Sequence, residues 1–342
     1  MRVLVTGGAG FIGSHFVRQL LAGAYQRWHG AQTIVLDKLT YAGNLANLAP
    51  VAHHPDLTFT QGDVCDRELV ENLMRGVDLV VHFAAESHVD RSIAAADAFV
   101  RTNVQGTHTL LDAAVRAGVE RFVHVSTDEV YGSIEEGSWT EEQPLAPNSP
   151  YAASKAGSDL LALAFHRTHG LPVCVTRCSN NYGPYQYPEK LIPLFTTNLL
   201  DGLPVPLYGD GRNQRDWLHV DDHCHGIDLV ATGGVPGEVY HIGGGTELSN
   251  ADLTAHLLDL CGADELSVRR VADRPGHDLR YSLDISKISR ELGYTPRVSF
   301  AEGLADTVDW YRNNRAWWEP LKVQPVPAPA ADGHALTPDG RG

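Results

Sequence analysis

The sequence predicts an α/β protein, a doubly wound parallel sheet with a smaller C-terminal substrate-binding lobe. Three observations predict it. Short β-branched apolar runs alternate with helix-period segments through the first half of the chain. A glycine-rich turn follows the first run, and after Tyr182 the texture becomes rich in proline and glycine.

The runs are Arg2 to Thr6, Thr33 to Leu36, Leu57 to Thr60, Leu79 to Phe83, Arg121 to Ser126 and Val173 to Arg177. Helical candidates between them are Gly13 to Gly23, Arg67 to Arg75 and Asn103 to Ala117; the last puts Leu110, Leu111, Ala114 and Val115 on one face. Pro150 opens a further helix, capped by Asn148 or Ser149. Past Tyr182, GPYQYPEKLIP and GLPVPLYGDGRNQRDW read as loops and short elements laid against the sheet. Ser299 and Glu302 form a capping box before a helix with Leu304, Val308 and Tyr311 on one face, so the fold is expected to reach about Leu321. From Val323 the chain is Pro/Ala/Gly-rich without periodicity, and a disordered tail is expected over 323–342.

The chain has 342 residues, a prior of about two domains or one large one. Lys and Arg total 27 against 42 Asp and Glu, a net charge of −15 that disfavours binding a nucleic-acid polymer. Five cysteines are scattered without a CxxC pair, which favours a reducing compartment over a disulfide framework. Glycines interrupt the first apolar run too early for a signal peptide, and no stretch approaches a membrane span. A cytoplasmic enzyme with no membrane partner is expected.

GGAGFIG places Gly7, Gly10 and Gly13 between the first strand and the first helix, where bare backbone can approach a pyrophosphate at a helix N-terminus. The spacing is GxxGxxG, and a tight turn that binds nothing is the alternative. Asp37 ends the second run, where its carboxylate can accept both ribose hydroxyls and repel a 2′-phosphate, favouring NAD over NADP. Lys38 tempers that preference, and Asp63 after the third run can accept from an adenine amino group.

Tyr151 and Lys155 lie four apart on one helical face. A phenol is a poor base at neutral pH unless a cation such as Lys155 stabilises the phenolate. Two surface side chains on an exposed helix are the alternative. Asp128 and Glu129 follow Thr127 at the end of the fifth run, where a doubly wound sheet places its site. Adjacent carboxylates drive their pKa values apart, which yields one acid and one base. A strand-end turn capped by Asp128 is the other reading.

GGAGFIG, HFAAES at His82 to Ser87, STDEVYG at Ser126 to Gly132 and YAASK at Tyr151 to Lys155 resemble the extended short-chain dehydrogenase/reductases, which are built on a Rossmann-type sheet. From Met1 to about Leu321 the chain is similar to the nucleotide-sugar 4,6-dehydratases among them. The resemblance implies an NAD-binding Rossmann domain over 1–182, its last elements interwoven with a mainly nucleotide-sugar-binding lobe over 183–322. It implies NAD-dependent conversion of dTDP-glucose to dTDP-4-keto-6-deoxyglucose and water, by C4 oxidation, C5/C6 elimination and hydride return to C6. Asp128 would be the acid at the C6 hydroxyl, Glu129 the base at C5, and Tyr151 with Lys155 and Thr127 the oxidation group. Epimerases of the superfamily usually carry small neutral residues in place of the Asp-Glu pair.

The same resemblance assigns Phe11, Ile12, Leu39, Thr40, Val64, Phe83, Ala84, Ala85, Ser87, Thr102 and Asn181 to the cofactor. Ser87, Thr127 and Asn180 are implied sugar or phosphate contacts. Lys190, Leu191, Pro206, Leu207, Tyr208, Arg215, Asn250, Arg274, Pro275, Gly276, His277 and Asp278 are implied as the nucleotide and diphosphate grip, with cations for the phosphates and Tyr208 for the base. A homodimer through the Asn103 and Tyr151 helices is implied, with Leu160, Leu161, Ala164 and Phe165 as its apolar surface. A UDP-glucose dehydratase, a C4 epimerase and a non-catalytic NAD-binding sensor are the competing functions. His223, Cys224 and His225 follow Asp221 and Asp222. Asp221 reads as the N-cap of a short helix on which the two histidines face apart, so no metal is expected.

Overall fold

The computed structural model describes residues 1–273 and 276–322. Arg274, Pro275 and the expected tail from 323 lie outside the described residues. The strands are β1 (Arg2–Thr6), β2 (Gln32–Asp37), β3 (Leu57–Gln61), β4 (Leu79–His82), β5 (Arg121–Thr127), β6 (Val173–Cys178), β7 (Asn180–Tyr182), β8 (Val205–Tyr208), β9 (Gln214–His219), β10 (Val239–Ile242), β11 (Glu247–Ser249) and β12 (Val268–Val271). The helices are α1 (Phe11–Leu21), α2 (Arg67–Leu73), α3 (Val89–Ala94), α4 (Asp97–Phe99), α5 (Thr107–Ala117), α6 (Pro150–His169), α7 (Leu191–Leu200), α8 (Val220–Gly233), α9 (Asn250–Cys261), α10 (Ser286–Leu292), α11 (Phe300–Asn313) and α12 (Arg315–Trp318).

The central sheet runs β10-β6-β5-β4-β1-β2-β3, every neighbouring pair parallel. Its inner strands β1 and β4 are buried and largely apolar because helices cover both faces, whereas the edge strand β3 alternates apolar and polar residues. Alternate side chains of β1 divide between the layers. Val3 and Val5 pack with Phe16 and Val17 of α1 and Ile227 of α8, whereas Leu4 packs with Leu110 and Leu111 of α5 and Ala162 of α6. A third core, including Tyr182, Phe195, Trp217, Leu253 and Leu304, holds the C-terminal lobe. That lobe also carries a sheet ordered β11-β9-β7 and the parallel pair β12-β8.

All six expected strands form within one residue of their expected ends. The sheet does not stop at the sixth, since β10, far beyond Tyr182, adds to β6. Residues on both sides of Tyr182 therefore build one sheet.

Helix boundaries differ more. The first helix starts at Phe11 with Gly10 as N-cap. The segment expected to be helical from Asn103 becomes regular only at Thr107, because Val100–Gly106 is wound as a wider π-type helix. Ser149, not Asn148, caps α6 by accepting from the Ala152 N–H. Ser299 caps α11 and also bonds the Glu302 carboxylate. The reading of Asp221 as a cap needs correction. His219 caps α8, its Nδ1 accepting from the Asp221 N–H at 3.3 Å, and Asp221 sits in the first turn paired with His15. An imidazole acceptor substitutes there for the usual carboxylate or hydroxyl.

Candidate active site

The register sets the site. Thr6 lies level with Leu36 and His82, and Thr127 lies level with Cys178. The residues following β1, β2, β4, β5 and β6 therefore emerge along one edge, where a cleft of about 1160 Å³ opens between sheet and C-terminal lobe.

At the glycine turn, Gly7 has φ +69°, and a Cβ there would stand 2.6 Å from the Ala84 nitrogen. A Cβ on Gly13 would meet the Gly7 carbonyl oxygen at 2.3 Å. Glycine is thus required at both positions, for the turn itself and for the approach of α1 to it. α1 has no acidic residue in its first turn and no side-chain cap, so its N-terminal N–H groups face the cleft that Gly10, Phe11, Ile12 and Gly13 line. Asp37 is held by the Ala9 and Leu39 N–H groups at 2.9 and 2.8 Å. Burial pushes its carboxyl upward against those two bonds. Lys38 Nζ is 2.9 Å from Asp63, which also accepts from the Cys65 N–H. These contacts outweigh the partial burial of Asp63 and hold it below the usual carboxylate range. The cation beside Asp37 is thereby paired, which removes much of its welcome for a 2′-phosphate.

The turn Asp128–Tyr131 follows β5, with Thr127 as its cap, so the Thr127 side chain is the capping group there, accepting from the Glu129 N–H at 3.3 Å. Asp128 is 2% exposed. Its Oδ1 accepts from the Thr127 hydroxyl at 3.2 Å, and its Oδ2 has no partner within the protein. Burial first and the neighbouring Glu129 second push its carboxyl well above the usual range, against the pull of Arg215 and the Thr127 hydroxyl. Glu129 is half-buried and lines the cleft. Burial and the neighbouring carboxylate therefore favour the protonated form of Asp128.

Tyr151 and Lys155 occupy the buried start of α6, not an exposed helix. Lys155 Nζ donates to the Val125 carbonyl at 2.7 Å, and burial lowers its pKa. Burial and then Glu129 push the Tyr151 phenol well above its ordinary value, with the Thr127 hydroxyl pulling down. In the protein alone, burial and Glu129 dominate the Tyr151 phenol.

Around this centre the cleft is lined by Thr40, Val64, Phe83, Ala84, Ala85, Ser87, Thr102, Asn180 and Asn181. On the lobe side it is lined by Lys190, Leu191, Pro206, Leu207, Tyr208, Arg215, Asn250 and His277. Lys190 reaches across to the Ser87 carbonyl at 2.8 Å. Leu39, Gly276 and Asp278 are not in the lining. Asp278 instead braces the wall, accepting from Asn148 and Tyr281 at 2.6 Å each while its carbonyl accepts from buried Arg215 at 2.9 Å.

Sequence reasoning missed Asn103 as a site residue. Its side chain bonds the Glu86 N–H and carbonyl at 2.8 and 3.0 Å and the Ser154 hydroxyl at 2.8 Å, tying the loop after β4 to α6. It also missed a cluster built from α3 and two loops, in which Arg91 lies 3.7 Å over the Tyr41 ring and 3.5 Å from Glu189. Only proximity in space signals either. His223 is buried with Nδ1 2.8 Å from the Asn181 side-chain oxygen. Among the described residues no three His, Cys, Asp or Glu side chains converge as metal ligands.

Comparison with known proteins agrees with this geometry. The family model described as GDP-mannose 4,6 dehydratase matches residues 4–307. A dTDP-glucose 4,6-dehydratase of Streptomyces niveus is 64% identical, the alignment covering 98% of this chain and 99% of that one. The crystal structure of DesIV, a dTDP-glucose 4,6-dehydratase from Streptomyces venezuelae with NAD bound, superposes with a TM-score of 0.93 at 71% identity, covering 94% of this chain and 100% of that one. A UDP-glucose 4-epimerase from Thermotoga maritima superposes at 0.84 with 33% identity, covering 92% and 99%, so the shared fold leaves the reaction to the site residues. With Asp128 and Glu129 following Thr127 in the cleft, the chain belongs to the dTDP-glucose 4,6-dehydratase family, within the wider GDP-mannose 4,6 dehydratase family.

Proposed function

We propose that the protein dehydrates dTDP-glucose to dTDP-4-keto-6-deoxyglucose with NAD retained through the cycle. The observation that carries this reading is Asp128, a buried carboxyl beside Glu129 with one oxygen unpartnered beside the cleft, whose pKa burial and that neighbour push upward. An epimerase needs no such acid, and a sensor needs no buried Tyr151 and Lys155.

The residues present fit the dinucleotide. The Gly7 to Gly13 turn and the start of α1 would hold its pyrophosphate, and Asp37 would accept from its ribose. When bound, NAD supplies the hydride acceptor and donor, and its cationic ring favours a phenolate nearby. Tyr151 takes the proton of the C4 hydroxyl as that carbon is oxidised. The resulting ketone acidifies the C5 hydrogen, which Glu129 removes, while Asp128 gives its proton to the C6 oxygen and water departs. C6 then receives the hydride, and C5 recovers a proton from Glu129 after that carboxyl has exchanged its proton with solvent. At the end Tyr151 holds an extra proton and Asp128 lacks one. The Thr127 hydroxyl, which donates to Asp128 at 3.2 Å and pulls the Tyr151 pKa down, is the group to pass it between them.

The sugar is read by Ser87 and by Asn180, whose side-chain oxygen is buried without a protein partner. Lys190, Arg215 and His277 offer the diphosphate its cations, with Tyr208 for the base. Two copies pair through α5 and α6, a reading supported by Val100 at 55% and Leu160 at 60% exposure near a groove lined by Val104, His108 and Leu161. A cytoplasmic site of action is supported by five free cysteines. No helix among the described residues is long and apolar enough to cross a membrane.

The test is to incubate the NAD-loaded protein with dTDP-glucose and with UDP-glucose in deuterated water. Loss of water and deuterium at C5 with dTDP-glucose, without build-up of free NADH, is expected. Absence of dehydration in protein shown to hold NAD refutes the reading.

A further inference from the structure

Beneath the two catalytic pairs runs a chain of buried polar side chains that the reaction above does not use. Asp159 lies one turn after Lys155 on α6 and is fully buried. Its Oδ2 accepts from Arg177 Nε at 2.9 Å. Arg177 sits on β6 next to the cleft-lining Cys178, and its Nη1 donates to the Tyr131 phenolic oxygen at 2.5 Å. Tyr131 in turn bonds His241 Nε2 of β10 at 2.6 Å, and His241 Nδ1 lies 3.1 Å from the Asp284 carbonyl. From Arg177 to the Asp284 carbonyl one proton arrangement satisfies the chain, while Asp159 Oδ1 and His124 Nδ1 have no hydrogen-bond partner. Tyr131 accepts from Arg177 and donates to Nε2 of neutral His241, whose Nδ1–H donates to Asp284. On the far side His124 Nε2 stands 3.3 Å from Asp159 Oδ1.

The ends of this chain matter. Tyr131 closes the turn that carries Asp128 and Glu129, while Asp159 belongs to the helix that carries Tyr151 and Lys155. Apolar side chains of similar volume would often be no less stable than a buried ion pair, so stability alone is a weak reason for this one. A satisfied polar chain does admit essentially one geometry, because each bond fails if an element slides. Oxidation uses Tyr151 and Lys155 on α6 with Thr127 at the end of β5, whereas elimination also needs Asp128 and Glu129 of the following turn aligned with α6.

We propose that Asp159, Arg177 and Tyr131 are positioning residues for the elimination step, holding the Asp128–Glu129 turn in register with the Tyr151–Lys155 helix. Loss of the Tyr131 hydroxyl then slows departure of water and leaves C4 oxidation intact. This rests on the dehydratase reading above.

The experiment is a single turnover of NAD-loaded protein with dTDP-glucose, following the near-ultraviolet absorbance of the reduced cofactor and deuterium uptake at C5. In Tyr131→Phe the absorbance rises within about twofold of the unsubstituted rate, and its decay slows roughly 10- to 100-fold, the cost of a misplaced catalytic group. Deuterium uptake slows with the decay. Tyr294→Phe is the control. It loses an equally buried hydroxyl, bonded to the Gly243 carbonyl at 3.0 Å, and is expected to keep both phases. Arg177→Lys keeps the charge beside Asp159 but loses the fork that also reaches Tyr131, and is expected to show the same split. It decides the matter should Tyr131→Phe not fold. The inference is overturned if both phases slow together, if the decay is unchanged, or if Tyr294→Phe gives the same split. If the unsubstituted protein does not dehydrate dTDP-glucose, the parent reading falls and takes this one with it.

Discussion

Replacing Asp128 with asparagine separates the chemistry of the site from its stability. The side chain keeps its size, and only the transferable proton is lost. A carboxyl with the ordinary value of 3.8 would be protonated in roughly one molecule in 1,500 at pH 7, and raising the pKa by one restores about tenfold. Burial beside Glu129 supplies that rise, so most of the usefulness of Asp128 as an acid comes from its surroundings. Asp128→Asn is expected to lower kcat by about 10²- to 10⁴-fold, the usual worth of a general acid, with C4 oxidation still visible as absorbance of the reduced cofactor. Stability responds in the opposite direction. A carboxyl whose folded pKa lies above its unfolded value binds more protons in the folded state, so stability is full below about pH 4 and declines as pH rises towards the folded pKa. The loss is about 1.4 kcal/mol for each pH unit that separates the folded pKa from the unfolded one. Asparagine ionises in neither state and escapes it. The variant should therefore melt at the same temperature as the unsubstituted protein or higher at pH 8, and lose that advantage near pH 4. Calorimetry at the two pH values, beside turnover assays, checks this. Full turnover by Asp128→Asn, or a lower melting temperature at pH 8 than at pH 4 relative to the unsubstituted protein, would refute the assignment of a buried neutral acid.

Other outcomes follow from the same geometry. Gly13→Ala forces a methyl against the Gly7 carbonyl and is expected to cost about 1–3 kcal/mol or more and to strip NAD during gel filtration, read from the nucleotide content of the eluted protein. Asn103→Ala leaves the Glu86 N–H and carbonyl without their partners, at about 1–3 kcal/mol for each group left unpaired; faster hydrogen exchange at Glu86 than at β5 amides is the expected signature. Asp159 is held at about 2 by Arg177 and His124 against its own burial, so it contributes about 2 kcal/mol above pH 4, lost as pH falls towards 2. An acid-unfolding curve for Asp159→Asn should be flatter across that window, though the variant is less stable at pH 7 because Arg177 is left buried without its counter-charge.

Much of the scaffold was legible because its signals are local. The β-branched runs gave six strands of the central sheet, and Ser149 and Ser299 gave two caps, since period and capping depend only on neighbours along the chain. The acidic pair was legible as a pair. Its adjacency forces the two pKa values apart, but which carboxyl becomes the acid depends on burial, and Asp128 is the one the fold encloses. β10 was not legible, because four residues placed after α8 carry no mark of pairing with β6.

By itself the sequence determined the layered α/β architecture, the glycine turn with Asp37 beyond it, and the residue types available for oxidation and elimination. The tertiary structure decided what those residues can do. It tied up Lys38 with Asp63, buried Tyr151 and Lys155, set Asn103 as a clamp, and joined Asp159, Arg177 and Tyr131 into one brace. The reason is physical: a periodic pattern reports the environment of a residue's own element. Partners 46 positions apart, as Arg177 and Tyr131 are, meet only when the sheet has closed around them.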